Sequence, residues 1–134
     1  MKKKYLIIPA ALALLAGVYA GGSELPEGFE KNRVFKTAKA FIRKFNQQDY
    51  LSCRAMFNAD LCITMADDRL EKTFGPVRES MGKFIRIKGI SATSKKLAGD
   101  DYVVCIVKCQ YEYSEPDFII TLNQHMQICG LSIE

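Results

Sequence analysis

The stretch VVCIVKCQYEY, Val103–Tyr113, decides the fold because it is rich in β-forming residues and its side chains alternate between two faces. Successive side chains of a strand point to opposite sides of the sheet. Cys105 and Cys109 then share one face about 13 Å apart, taking about 3.3 Å per residue. Cysteines at that distance neither bridge each other nor bind one ion. The stretch therefore predicts a strand and not a metal or redox motif.

Three further strand patterns surround this stretch. KFIRIKGISA alternates from Lys83 onward, and DFIITLNQHMQICGLSI forms two apolar runs about a turn at Asn123–His125. Runs of β-branched and aromatic residues separated by short polar turns are typical of antiparallel neighbours. The expected pairs across the turns are Tyr113 with Phe118, Cys109 with Leu122, and Ile120 with Ile128. The sequence predicts a four-stranded antiparallel sheet.

Three helical patterns precede the sheet. Their apolar residues repeat at spacings of three and four, which places them on one face of each helix. Asp49 is typical of the N-cap of the short second helix, segment 58–68 is interpreted as a loop, and Pro76 predicts a kink or a break in the third helix. The stripes are Val34, Ala38, Phe41 and Phe45, then Tyr50, Cys53 and Phe57, then Leu70, Phe74, Val77 and Met81. The fold class is α+β, with three N-terminal helices packed on the sheet.

The N-terminal segment 1–20 has the pattern of a secretory signal peptide, with three lysines, an apolar run from Tyr5 to Val18, and small residues before a cleavage site after Ala20. The run of 14 residues is shorter than the roughly 20 that a membrane helix needs. An uncleaved anchor is the alternative. We expect a flexible mature N-terminus at 21–26, one domain at 27–134, no stable membrane insertion after cleavage, and a periplasmic, cell-envelope or extracellular location.

The charge of the chain belongs mainly to this leader. Removing it takes away three of the 19 Lys and Arg residues and none of the 15 Asp and Glu residues, so the net charge falls from +4 to +1. Binding to phosphate backbones requires a clustered positive surface. The composition of the predicted mature chain therefore argues against a nucleic-acid partner.

The order of elements resembles the nuclear transport factor 2-like superfamily of cone-shaped α+β domains. The residues that carry the resemblance are AKAFIRKFNQQDY at 38–50, LEKTFGPVRESMGKF at 70–84 and QICGLSIE at 127–134. More narrowly, the chain resembles an exported bacterial family of unknown function within that superfamily. The resemblance implies a curved sheet, an internal pocket between its concave face and the helices, and an outer face that often dimerises. Relatives include lyases and isomerases as well as domains that only bind or assemble.

The predicted pocket lies on the sheet face assigned to the helices. Alternation puts Val104, Ile106, Leu131 and Ile133 on the outer face, where an apolar patch favours a homodimer through the sheet; scattered exposed apolar residues are the alternative. The candidate pocket-lining residues, for which core packing is the alternative role, are Val107, Cys109, Tyr111, Tyr113, Phe118, Ile120, Met126, Ile128, Phe41 and Phe57.

The chemistry-bearing residues form no catalytic pattern. The inner strand positions hold no carboxylate and no histidine, and His125, the one histidine of the chain, falls in a turn. A single histidine without a Cys-x-x-Cys pair leaves too few ligands for a zinc site. A cysteine nucleophile requires a neighbouring base, which neither Cys105 nor Cys109 has in sequence. The sequence predicts no catalytic residue, no metal and no cofactor.

The five cysteines are an odd number for an exported chain. Cys53 with Cys62 is the local candidate for a disulfide, and Cys109 is the alternative partner of either. Cys129, on the opposite face, is expected to remain unpaired.

These observations favour a non-catalytic exported domain over an enzyme. The expected role is to bind a small apolar or amphipathic ligand, or an envelope protein. The alternatives are a small lyase or isomerase that uses the cone pocket, and an assembly module that dimerises through the outer sheet face.

Overall fold

In the part of the chain that the structure describes, four helices and five strands make up the fold. The computed structural model describes residues 5–7, 25–66 and 68–134. The helices are α1 (Lys31–Asn46), α2 (Tyr50–Arg54), α3 (Ala59–Thr64) and α4 (Arg69–Met81). The strands are β1 (Tyr5–Ile7), β2 (Phe84–Leu97), β3 (Asp100–Tyr111), β4 (Asp117–Leu122) and β5 (Ile128–Ile133). The predicted α+β class is confirmed.

The sheet is antiparallel and open, with strand order β1-β5-β4-β3-β2. Strands β2 to β5 are the four that the sequence predicts. The added strand β1 falls inside the predicted leader and pairs Tyr5 with Ile133. The predicted cleavage site and most of the flexible segment 21–26 lie outside the described residues. Among the described residues, no helix combines the length and the apolar character that crossing a bilayer requires.

The register of β3 and β4 differs from the prediction, and the position of the turn explains the difference. Leu122 pairs with Val103 and not with Cys109, because the chain reverses at residues 112–113. The Tyr111 N–H donates to the Ser114 carbonyl at 2.8 Å, which closes the hairpin before the predicted SEP turn. The shift is an even number of residues, so the inner face of β3 is preserved. Tyr113, however, lies at the tip of the turn and is 72% exposed.

The register of β4 and β5 changes at a bulge. Ile120 pairs with Leu131 and not with Ile128, and the register shifts by one residue between Thr121 and Leu122. One extra residue reverses the phase of the side chains beyond it. Leu131 and Ile133 therefore join the buried core, and their predicted place on the outer face is wrong.

One helical prediction needs correction. The segment interpreted as a loop contains α3, whose first turn is capped by the Asn58 side chain accepting from the Leu61 N–H at 2.9 Å. Helix α4 runs through Pro76 without a break, and a kink at this residue stays a prediction. The predicted cap of α2 is present, since the Asp49 side chain accepts from the Ser52 N–H at 3.2 Å.

The core between helices and sheet is centred on aromatic rings. Phe45 of α1 lies 5.9 Å from Phe74 of α4 and 5.2 Å from Phe118 of β4, measured between ring centroids. Both pairs are edge-to-face, the arrangement that the ring quadrupole favours. One side chain thus joins both helices to the sheet.

We predict that Phe45→Ala lowers the free energy of unfolding by about 3–5 kcal/mol, because it removes a fully buried ring and leaves a cavity. Urea denaturation measures the change. Leu51→Ala is the control, since Leu51 is 76% exposed and its truncation is expected to change stability by less than about 0.5 kcal/mol. Equal losses in the two variants would contradict the central role of Phe45.

Candidate functional site

Side chains of the helices and the sheet pack against each other in the region where the sequence predicts a pocket. Phe41 contacts Phe57 with ring centroids 6.3 Å apart, and Phe45 and Phe118 fill the middle. Most of the candidate pocket-lining residues are members of the hydrophobic core: Phe41, Phe57, Val107, Cys109, Tyr111, Phe118, Ile120 and Ile128. Met126 is half-buried against that core, whereas Tyr113 points out of it. The residues are brought together, but as packing partners.

A polar group of three residues closes one end of this core. We call Asn46, Arg78 and Tyr111 the Asn46 cluster. The Tyr111 hydroxyl donates to Asn46 Oδ1. The Asn46 carbonyl accepts from Arg78 Nε at 3.3 Å and from Nη2 at 3.1 Å. Since Asn46 is the last residue of α1, the cluster satisfies a helix-end carbonyl and links α1 to α4 and β3.

The electrostatics of the Asn46 cluster do not suit acid–base catalysis. Burial raises the pKa of the Tyr111 hydroxyl, and the neighbouring Cys109 adds to the rise while Arg78 and the bond to Asn46 oppose it. The hydroxyl therefore stays protonated at neutral pH. The Arg78 guanidinium is engaged with the end of α1. Within the described residues, the cluster supplies hydrogen-bond donors but no general base.

The structure brings His125 next to residues that are far away in sequence. The β2–β3 turn and the β4–β5 turn enclose a surface hollow of about 230 Å³. Its lining residues are Asp100, Asp101, Tyr102, Asn123, Gln124 and His125. Asp101 is paired with Lys96 at 3.7 Å, and the described residues contain no group of three or more His, Cys, Asp or Glu side chains arranged to hold a metal. This grouping is not visible in the sequence because the two turns are far apart along the chain and meet only in the folded sheet.

All five cysteines are free thiols. Cys53 is fully buried in the core, whereas Cys62 is half-buried and its Sγ lies 3.5 Å from the Arg54 carbonyl. The structure therefore contains no disulfide between Cys53 and Cys62, the pair that the sequence offers as the local candidate. Burial raises the pKa of Cys53, Cys105, Cys109 and Cys129 to about 12, which keeps these thiols protonated and unreactive at neutral pH.

Large apolar side chains are exposed where α4 is followed by β2. We define the β2 edge patch as Phe84, Ile85 and Tyr113, which are 37%, 54% and 72% exposed. Phe84 also packs edge-to-face on Tyr111, with ring centroids 5.3 Å apart. Register shifts in β2 between Phe84 and Arg86 and between Ile87 and Gly89 accompany this exposure.

Gly82 positions the β2 edge patch. Its φ of +77° is in the region that favours glycine, and a Cβ there would lie 2.7 Å from Tyr113 Cδ2. The close approach lets the Tyr113 N–H donate to the Met81 carbonyl at 2.9 Å and the Glu112 N–H donate to the Lys83 carbonyl at 2.8 Å. Simple alternation along β3 places Tyr113 on the inner face, and so the patch cannot be seen in the sequence pattern.

Comparison with known families and structures identifies this type of domain. Residues 38–131 match the family described as Protein of unknown function (DUF3887). The chain belongs to this family. The matched residues run from within α1 into β5 and include the Asn46 cluster and the β2 edge patch. The resemblance to a domain family of unknown function is thus confirmed, while membership of the nuclear transport factor 2-like superfamily stays a prediction.

A solved structure supports the DUF3887 fold. The NMR structure of a protein from Ruminococcus gnavus ATCC 29149 superimposes with a TM-score of 0.69 at 23% sequence identity. The alignment covers 81% of this chain and 95% of that protein. No curated protein gives a significant match. At this identity the likeness concerns the fold alone.

We predict that Tyr111→Phe lowers the stability of the DUF3887 domain by about 1–2 kcal/mol, because Asn46 Oδ1 loses its donor. Tyr113→Phe is the matched control, since that ring is exposed and the change removes the same hydroxyl from a turn. Urea denaturation of both variants tests the difference. A loss in Tyr113→Phe as large as that in Tyr111→Phe would count against the Asn46 cluster.

The buried thiols also predict a dependence of stability on pH. Their pKa of about 12 in the folded state exceeds the ordinary value of 9.0. The unfolded DUF3887 chain therefore loses thiol protons first, and the free energy of unfolding decreases as the pH rises from 9 towards 12. Urea midpoints at several pH values measure this. Cys109→Ala should flatten the decrease; a profile unchanged by Cys109→Ala would overturn the assignment.

Proposed function

We propose that this DUF3887 chain is an exported, non-catalytic domain that acts by binding another protein. The observation that carries the proposal is the contrast between its interior and its surface. In the interior, rings of the helices and the sheet pack against each other, and hydrogen bonds join the Tyr111 hydroxyl and the Arg78 guanidinium to Asn46. Large apolar side chains are instead exposed together in the β2 edge patch. Exposed apolar groups of this kind mark interaction sites on soluble proteins.

The position of the patch favours an extended partner segment. β2 is an edge strand, and among the described elements its ladder partner is β3. An edge strand presents N–H and C=O groups to which another strand can add, while neighbouring side chains select the sequence that binds. Phe84 and Ile85 stand at the start of β2, so the partner is expected to carry apolar residues at that end.

A homodimer through the sheet is a second candidate. The middle of the outer face carries Val104, Ile106 and Ile119, of which Val104 and Ile119 are buried in the whole chain. Beside them, the buried Thr93 hydroxyl has no hydrogen-bond partner among the described residues. A second protomer could supply the missing acceptor. The described contacts offer no comparable support for a small ligand in the cone, which would have to separate packed rings, or for a lyase or isomerase, which needs a titratable inner group.

A photo-crosslinking experiment tests the proposed partner site. A benzophenone amino acid at position 85 is expected to yield a discrete adduct with one protein in the source cells, because this exposed side chain belongs to the edge strand β2. Position 51 is the matched control, since Leu51 is also apolar and exposed but lies on α2. Mass spectrometry identifies the adducts. Equal adduct formation at both positions, or none at position 85, would refute binding at the β2 edge patch.

A further inference from the structure

The edge of β5 is covered by a segment that the export proposal removes. β1 pairs with β5 through Tyr5 with Ile133, Leu6 with Ser132 and Ile7 with Leu131. Tyr5–Ile7 precedes the predicted cleavage site after Ala20. Processing would therefore leave β5 as an open edge, and the inference that follows rests on the proposed export.

The hydrogen-bond pattern identifies which groups this edge exposes. Asp117 and Glu134 exchange both main-chain bonds, at 2.9 and 3.0 Å. Bonded and non-bonded pairs alternate along an antiparallel ladder. Ser132 therefore directs its N–H and C=O towards β4, while Leu131 and Ile133 direct theirs away from it. Removing β1 frees two donors and two acceptors on these two residues.

Segment 56–58 covers this edge at Ile128, where the Asn58 N–H donates to the Ile128 carbonyl and the Ile128 N–H donates to the Met56 carbonyl. The part of the edge that β1 covers has none of the usual protection against pairing. Natural edge strands are guarded by lysine, proline or inward charges. The six residues of β5, ICGLSI, include no charge and no proline. An unguarded edge of this kind is a template for another strand.

The pairing with β1 shows the register that this edge accepts, with Ser132 opposite Leu6. With β1 in place, the Ser132 side chain is 1% exposed, and its hydroxyl has no hydrogen-bond partner among the described residues. Removing β1 takes away the neighbouring strand, so this hydroxyl becomes available to a new neighbour. Ser132 lies midway between the two residues whose main-chain groups face the edge.

We propose that the processed chain forms a two-fold dimer by antiparallel pairing of β5 with β5 of a second copy, centred on Ser132. In this register Leu131 of each copy lies opposite Ile133 of the other, so all four freed main-chain groups are paired. A two-fold axis makes the contact self-complementary. The two Ser132 residues form a non-bonded pair, in which side chains are closest. Each hydroxyl then has the other as its partner.

Disulfide trapping tests this register. Ser132→Cys in a Cys62→Ser background, purified as the processed exported protein and oxidised with copper phenanthroline, is expected to give a covalent dimer, because cross-strand neighbours lie within disulfide range. Thr93→Cys in the same background is the matched control: it occupies the same face near the opposite edge. Non-reducing electrophoresis measures dimer formation. Covalent dimers from Thr93→Cys and not from Ser132→Cys would overturn edge pairing in favour of packing through the outer face.

Sedimentation tests the dimer through β5, and N-terminal sequencing tests the removal of residues 1–20. The processed wild-type chain is expected to begin at Gly21 and to dimerise with rising concentration, and Ser132→Lys is expected to be monomeric because two like charges meet at the axis. A processed wild-type chain that is monomeric at all concentrations overturns the β5 dimer and leaves export intact. An exported-fraction chain that retains residues 1–20 overturns the processing step, and the open edge with it.

Discussion

The contact of Phe45 with Phe118 is the interaction on which the rest of the structure depends. It joins the helix layer to the sheet in the middle of the core, and Phe74 and Tyr50 pack around the same ring. Because interiors are packed as densely as organic crystals, this ring fixes the spacing between the helices and the sheet at that point. The contact follows from the apolar stripe of α1, to which Phe45 belongs.

Three of the four helices in the described residues, and the inner face of β3, could be predicted from periodicity, because the spacing of buried residues does not depend on the exact register. The register of β3 against β4 was displaced by an even number of residues, so Val107 and Cys109 kept their predicted side. The bulge beside Thr121 shifts the phase by one residue, and this reversed Leu131 and Ile133. The extra residue lies in β5 next to Gly130, and an isolated glycine in a strand pattern is the signal of a bulge that simple alternation ignores.

The candidate sites were harder to predict than the fold because they depend on contacts between distant segments. Tyr111 and Asn46 are 65 positions apart and meet only because α1 ends over the end of β3. The turn at residues 112–113 contains glutamate and tyrosine, which are weak turn signals, and so Tyr113 was placed in the core. The cysteine pattern was ambiguous for a similar reason: an odd number of thiols specifies no pairing, and burial decides their state.

Gly82 has a consequence for how the outer surface can change. The tip that presents Tyr113 rests against this glycine, and a Cβ there would press into the ring and into Glu112. The exposed side chains beside it contact water, so replacing them leaves the packing of the core unchanged. The residue that sets their placement need not touch a partner. In the proposed interaction, substitutions of the exposed side chains would change which partner binds. Gly82, which has no side chain, would keep the position of those side chains the same.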